Sequence, residues 1–237
     1  LEFRRVLFQS FREYCESGGA KMETAGSLRS GKLVWALAAL QEGFTVNNTD
    51  HTKGYILLTT SHQVGVSHTA RTTMVRVVCA NTLAKAEQSK ASYTQSHLGN
   101  FKTGEARMAI GLAREEVVLA GEAAKKLVTL KLSAFDKMRF LSKVFQPVPE
   151  GVNDNEYIYS LINDPSVRNA QLSEVLWSVQ RGPGATPGNA WGVLNGITHW
   201  ADHVAGREAE ARLNNAWFGD RAKLKLDAYN SLLEMAA

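Results

Sequence analysis

KMETAGSLRSGKLVWALAAL, residues 21–40, holds two short β-type runs on either side of the turn Arg29-Ser30-Gly31-Lys32. Met22–Leu28 precedes the turn and Leu33–Leu40 follows it. Two further runs come later: Tyr55–Thr60, and Thr72-Thr73-Met74-Val75-Arg76-Val77-Val78-Cys79. Directly after Cys79, Asn81-Thr82 reads as an N-cap for a helix beginning Leu83-Ala84-Lys85-Ala86-Glu87. Successive runs with short connections pair as neighbours, so the pattern predicts an antiparallel meander closed by one helix. The rest of the chain looks helical. The expected fold class is therefore α+β: a small antiparallel β-meander, in a β-β-β-β-α core, followed by a helical C-terminal half. Residues 1–132 would form the sheet-plus-helix core. Residues 133–237 would form a helical region packed on or beside it, or a single domain with it.

Side-chain parity sorts the strands. In the second run Leu33, Trp35, Leu37 and Ala39 share one face, and Lys32, Val34, Ala36 and Ala38 share the other, which makes Trp35 a core anchor rather than a stacking platform. In the fourth run Arg71 sides with Thr73, Val75 and Val77, and Arg76 sides with Thr72, Met74 and Val78. The two arginines cannot line one groove without a bulge, so one of them is expected to be structural. Gln41–Gly54, polar and carrying Asn47-Asn48, is expected to be a loop, and Ser61–Gly65 a turn.

Outside the sheet, Phe3–Glu16 reads as an amphipathic helix ended by Gly18-Gly19. A stripe of Ala106, Ile110, Ala113, Val117, Ala120, Ala124, Leu127 and Leu130 predicts a core-facing helix over residues 103–132. A second helix, 134–145, stops before Pro147-Val148-Pro149. Residues 150–164 are expected to be irregular. Further helices are expected over 167–180, 189–203, 208–217 and 220–235. The Arg181–Gly188 stretch (RGPGATPG) precedes a helix start but lacks the Lys and Ser/Thr of a P-loop, so it reads as a connector.

Charge is unevenly placed. Eleven of the 27 Lys and Arg but only seven of the 23 Asp and Glu fall in residues 1–100, so that segment holds a surplus equal to the whole net charge of +4. Such a half suits a nucleic-acid face, where phosphate neutralisation dominates affinity. A hydrophobic content of 44% and a charged content of 21% are ordinary for a globular chain. No run approaches the roughly 20 apolar residues of a membrane helix. Two cysteines, Cys15 and Cys79, do not make a disulfide framework and imply reduced thiols in a cytoplasmic setting.

Catalytic motifs are scarce. His199 and His203 stand at i, i+4 with Asp202 between them, but no third ligand lies at a motif spacing, so they read as packing and capping groups. There is no nucleophile elbow and no cysteine signature. The expectation is a protein that is not an enzyme, with no cofactor and no metal.

Several blocks resemble a known family. They are Glu23-Thr24-Ala25-Gly26-Ser27-Leu28-Arg29 with Val34-Trp35-Ala36-Leu37, and Val75-Arg76-Val77-Val78-Cys79-Ala80-Asn81-Thr82-Leu83 with Ser96-His97-Leu98-Gly99-Asn100-Phe101. Near the C-terminus they are Thr186–Asn195 and Ala216-Trp217-Phe218-Gly219. Over roughly Phe8 to Leu233 the chain looks like a phage/plasmid-like family filed as a domain of unknown function (nine-three-two type). The resemblance implies a phage, prophage or plasmid product with further sequence ahead of the first helix. At fold level a β-β-β-α core followed by helices is similar to the RecT, Redβ and Rad-type single-strand annealing superfamily, an analogy that does not by itself give function.

The expected function is single-stranded DNA binding and annealing in phage or plasmid recombination, by a homo-oligomeric ring or filament in the cytoplasm of a bacterial host. Arg29, Lys32, Arg71, Arg76, Lys85 and Lys90 are the candidate nucleic-acid-binding residues. Arg29 and Lys32 sit at the first hairpin tip, and Lys85 and Lys90 on or just after the closing helix. The alternative is a non-enzymatic structural or regulatory phage protein that binds a protein partner. A nucleotide-handling enzyme built on residues 183–188 and the two histidines stands third.

Overall fold

The computed structural model describes residues 12, 14–16, 18–61, 68–77, 81–84, 93–95 and 103–237. Strands β1 (Lys21–Leu28), β2 (Leu33–Val46), β3 (Asp50–Ser61) and β4 (His68–Arg76) run antiparallel in sequence order. Two short strands, β5 (Asn81–Ala84) and β6 (Tyr93–Gln95), pair with β4 on its remaining edge. Seven α-helices follow: α1 (Thr103–Thr129), α2 (Ala134–Phe145), α3 (Asp154–Asn163), α4 (Ala170–Arg181), α5 (Ala190–His199), α6 (Ala209–Phe218) and α7 (Asp220–Met235). A π-helical turn, Trp200–Val204, extends α5. The protein is α+β, a sheet followed by a helical C-terminal half.

The meander departs from its expected outline at three places. Residues 41–46 and 50–54 are strand rather than loop, because Asn47 and Asn48 take φ of 51° and 63° and turn the chain tightly. Left-handed residues at a hairpin tip match the twist of the flanking strands, and asparagine tolerates them. Burial alternates along residues 41–46, the signature of a strand with one solvated face that polar composition disguised. The expected helix start at Asn81 is instead β5, with Arg76 opposite Asn81 and Thr73 opposite Ala84. A free β4 edge with unpaired backbone groups outweighs the weak helical preference of Asn81–Ala84. The expected helix over residues 3–16 lies mostly outside the described residues, as do residues 62–65 of the expected Ser61–Gly65 turn and the end of the fourth run after Val77, while Ser61 itself ends β3.

Alternation on β2 distributes its side chains as parity requires. Ala36, Ala38 and Leu40, with Ile56, Leu58, Ala70 and Met74, face Ala109, Ile110, Ala113, Val117 and Ala120 of α1. Small residues on both surfaces let helix and sheet approach closely. At Gly54 a Cβ would lie 2.7 Å from Val117 Cγ2, so that crossing admits no side chain. The other face carries Trp35, Leu37, Tyr55 and Leu57 against Ala216 and Trp217 of α6. Trp35 meets Trp217 edge-on at 4.9 Å, the core role expected of it.

The helical half has its own core of Leu141, Ile158, Leu161, Leu172, Val179, Val193 and Ile197, all nearly inaccessible. Ala124 and Leu127 of α1 reach into it, so α1 serves both cores. Helix starts are fixed by side-chain caps: Ser133, Asn153, Asn169 and Asn189 accept from the backbone N–H of Asp136, Glu156, Leu172 and Gly192. Each such cap is worth about 1 kcal/mol. The Asn153 cap explains why 154–163 is a helix where sequence composition pointed to irregular chain: Ile158 and Leu161 are its buried side.

Candidate nucleic-acid interface

The first hairpin turn is built against local preference. Arg29 and Ser30 both take φ of 55°, and Gly31 takes 85°. Left-handed backbone costs roughly 1–2 kcal/mol for a non-glycine residue, so something must hold it. Helix α6 supplies the partners: Arg29 Nε donates to Asn214 Oδ1 at 3.0 Å, and the Ser30 N–H donates to Glu210 Oε1 at 3.3 Å. Lys32, on the same tip, is exposed.

Farther along α6, the Arg71 guanidinium sits over the Phe218 ring, 5.4 Å from its centroid. A cation over an aromatic face is held by the ring quadrupole. Asn214 and Phe218 are one helical turn apart, about 6 Å of axis. The hairpin tip and the fourth strand thus bring Arg29 and Arg71 to successive turns of the same helix. Cross-strand register places Arg71 opposite Leu57, on the α6 face of the sheet. Thr59 and Thr69 pair by their hydroxyls on the same two strands.

Arg76 goes the other way. It is 4% exposed, its Nε donates to Asp50 Oδ1 at 2.6 Å, and its Nη2 donates to the Gly184 carbonyl at 2.8 Å. Trp191 Nε1 donates to the second Asp50 oxygen at 2.8 Å. This network ties β3 and β4 to the Gly-Pro loop and to α5, and it leaves Arg76 no path to a surface ligand. The connector reading of 181–188 gains a physical content here, since its Gly184 carbonyl accepts a hydrogen bond from a buried guanidinium. Lys85 and Lys90 lie outside the described residues.

The histidine pair sits at the far end of α5. His199 is 8% exposed, its Nδ1 lies 3.1 Å from Ser178 Oγ, and burial with His203 nearby lowers its pKa from the ordinary 6.5. Asp202, between the histidines, is committed to Lys225 at 2.5 Å. Lys225 is 1% exposed, and burial lowers its pKa against the opposing pull of Asp202. Parity analysis separated Arg71 from Arg76 but carried no signal for the α6 partners, Glu210, Asn214 and Phe218. Those contacts span more than 140 residues of chain, and only Phe218 stood within a recognised block.

Sheet, hairpin tip and α6 together define a class: an α+β protein with a polar, basic seam where a strained hairpin meets a C-terminal helix. Residues 4–218 match the family described as "Domain of unknown function (DUF932)", and the chain belongs to that family. No curated protein and no solved structure matches it. Among the described residues no helix is long and apolar enough to cross a membrane.

Proposed function

We propose that the protein binds and anneals single-stranded DNA in phage or plasmid recombination, as a cytoplasmic homo-oligomer without catalytic chemistry, in the manner of the RecT, Redβ and Rad-type proteins. The observation that carries this reading is that Arg29 and Arg71 both meet α6, with exposed Lys32 on the same hairpin tip as Arg29, and that all three belong to the half of the chain holding the entire positive surplus. Phosphate contacts by exposed basic side chains give affinity without sequence preference, as an annealing protein requires. Filter binding of a labelled oligonucleotide at low and physiological salt tests it. Affinity should fall steeply with salt, and Arg29→Ala with Lys32→Ala should weaken binding alike for all sequences, flattening the slope by roughly one to two units. A folded double variant with wild-type affinity and slope would remove this seam from consideration.

A protein-binding role has its own support. Met108, Val118 and Leu119 on the outer side of α1 are 65%, 54% and 66% exposed. Apolar side chains left in water on one helix suit contact with a second copy or another protein. Light scattering separates the two: a ring or filament well above a dimer agrees with annealing, and a monomer with and without DNA counts against it.

A further inference from the structure

Trp177 is the most exposed of the five tryptophans. It stands at 51%, whereas Trp191, Trp200 and Trp217 are all below a tenth exposed and Trp35 is partly buried against Trp217. It projects from α4, and its indole is backed on one side by a row of rings. The His199 ring centroid lies 6.2 Å away at a tilt of 38°, and His203 follows 5.3 Å beyond at 42°. His199 is held by the buried Ser178 hydroxyl, 3.1 Å from its Nδ1. The exposed indole therefore rests on a rigid base and loses little freedom when a ligand covers it.

Charge around the row is selective. Arg181 follows Trp177 by one turn on α4 and is exposed, as is His203 at the outer end. The nearest acid on that helix, Glu174, accepts from Trp200 Nε1 at 2.9 Å. A flat π-surface with a cation one turn away suits a planar base carrying a phosphate. An apolar peptide would gain nothing from Arg181 or His203.

The geometry points to Trp177, seated on the His199–His203 row and flanked by Arg181, as a base-stacking platform for single-stranded nucleic acid. This rests on the single-strand binding reading and adds a second contact of different chemistry, on α4 rather than on the hairpin and α6. Only residues 205–208 separate the π-turn, which carries His203, from α6, the helix that holds the basic seam.

The test uses the whole chain and two labelled probes, an oligothymidylate and an abasic oligomer with the same phosphates. Stacking is worth about 1–3 kcal/mol per base, so Trp177→Ala should bind oligothymidylate roughly 5- to 150-fold more weakly. Trp177→Phe should recover much of that loss. Affinity for the abasic oligomer should not differ between wild type and Trp177→Ala, and oligothymidylate should quench the exposed indole's fluorescence. Wild-type affinity in a folded Trp177→Ala protein overturns the platform, as does an equal loss on both probes. So does a Trp177→Ala effect confined to self-association, which would make the patch a protein contact. If Arg29→Ala with Lys32→Ala weakens binding while Trp177→Ala does not, the platform fails and the proposed function stands. A wild-type chain that binds neither probe ends both.

Discussion

Asp50→Ala should be among the most damaging single changes in this chain. Its carboxylate holds the Arg76 guanidinium with one oxygen and the Trp191 indole with the other, and the Asp50 and Arg76 side chains are 11% and 5% exposed. Removing it takes the carboxylate away from a buried cation that also donates to the neutral Gly184 carbonyl. Breaking one side of a buried ion pair costs about 3–5 kcal/mol. The orphaned indole N–H adds to this without summing fully. A loss of about 4 kcal/mol, at a urea slope of about 3 kcal/mol per M for a chain this long, lowers the unfolding midpoint by roughly 1.3 M. That is a large part of a total stability of about 5–15 kcal/mol. The pairwise logic also fixes the control. Asp50→Leu with Arg76→Met removes both charges together and should cost far less than either single change, because no buried charge is left uncompensated. Urea melts followed by near-ultraviolet circular dichroism measure both. A single variant that shifts the midpoint by less than about 0.3 M, or a double variant as damaged as the single, would refute the account of this network.

Two further expectations concern titratable groups. Burial, with Glu16 adjacent, pushes the Cys15 thiol up to about 12, so in a Cys79→Ser variant the native chain should resist a thiol reagent at pH 8 and react only on unfolding. Stoichiometric reaction of the folded chain would contradict the burial of Cys15. Burial lowers the His199 pKa below its unfolded value near 6.5, so the unfolded chain takes up the proton first. Stability should be undiminished above that value and decline as pH falls below it. His199→Gln should lessen that decline in urea melts at neutral and mildly acid pH, and an unchanged pH profile would count against it.

Much of this was legible in the sequence because it follows from period. Alternation in residues 33–40 separates the α1 face from the α6 face correctly, and the 134–145 and 220–235 helices fall where their stripes and stops put them. Parity also divides Arg71 from Arg76. What it cannot supply is which of the two meets a partner, since Asp50, Gly184 and Trp191 reach Arg76 from three distant segments. The β2–β3 hairpin was hidden for a different reason. Gln41, Gly43 and Thr45 face solvent, and composition alone cannot tell a solvated strand face from a loop. The fate of Asn81–Ala84 depended on an open edge of β4, a tertiary fact with no local trace. Trp177 was invisible for the same reason, because an amphipathic stripe does not reveal that one large side chain on it will stay in water.

Helix α1 gives the molecule a mechanical character. Its N-terminal portion lies against the sheet through Ala109, Ile110 and Ala113, and its C-terminal portion enters the helical core through Ala124 and Leu127. A continuous run of 27 helical residues is a stiff beam, and neither core keeps its full wall once the beam melts. Amide protons in β3 and in α5 should therefore exchange with a shared opening free energy, although they are far apart in sequence. Cutting the chain between residues 132 and 133 would leave α1 with the sheet but strip the helical core of one side, so that fragment would be expected to lose its packed interior first.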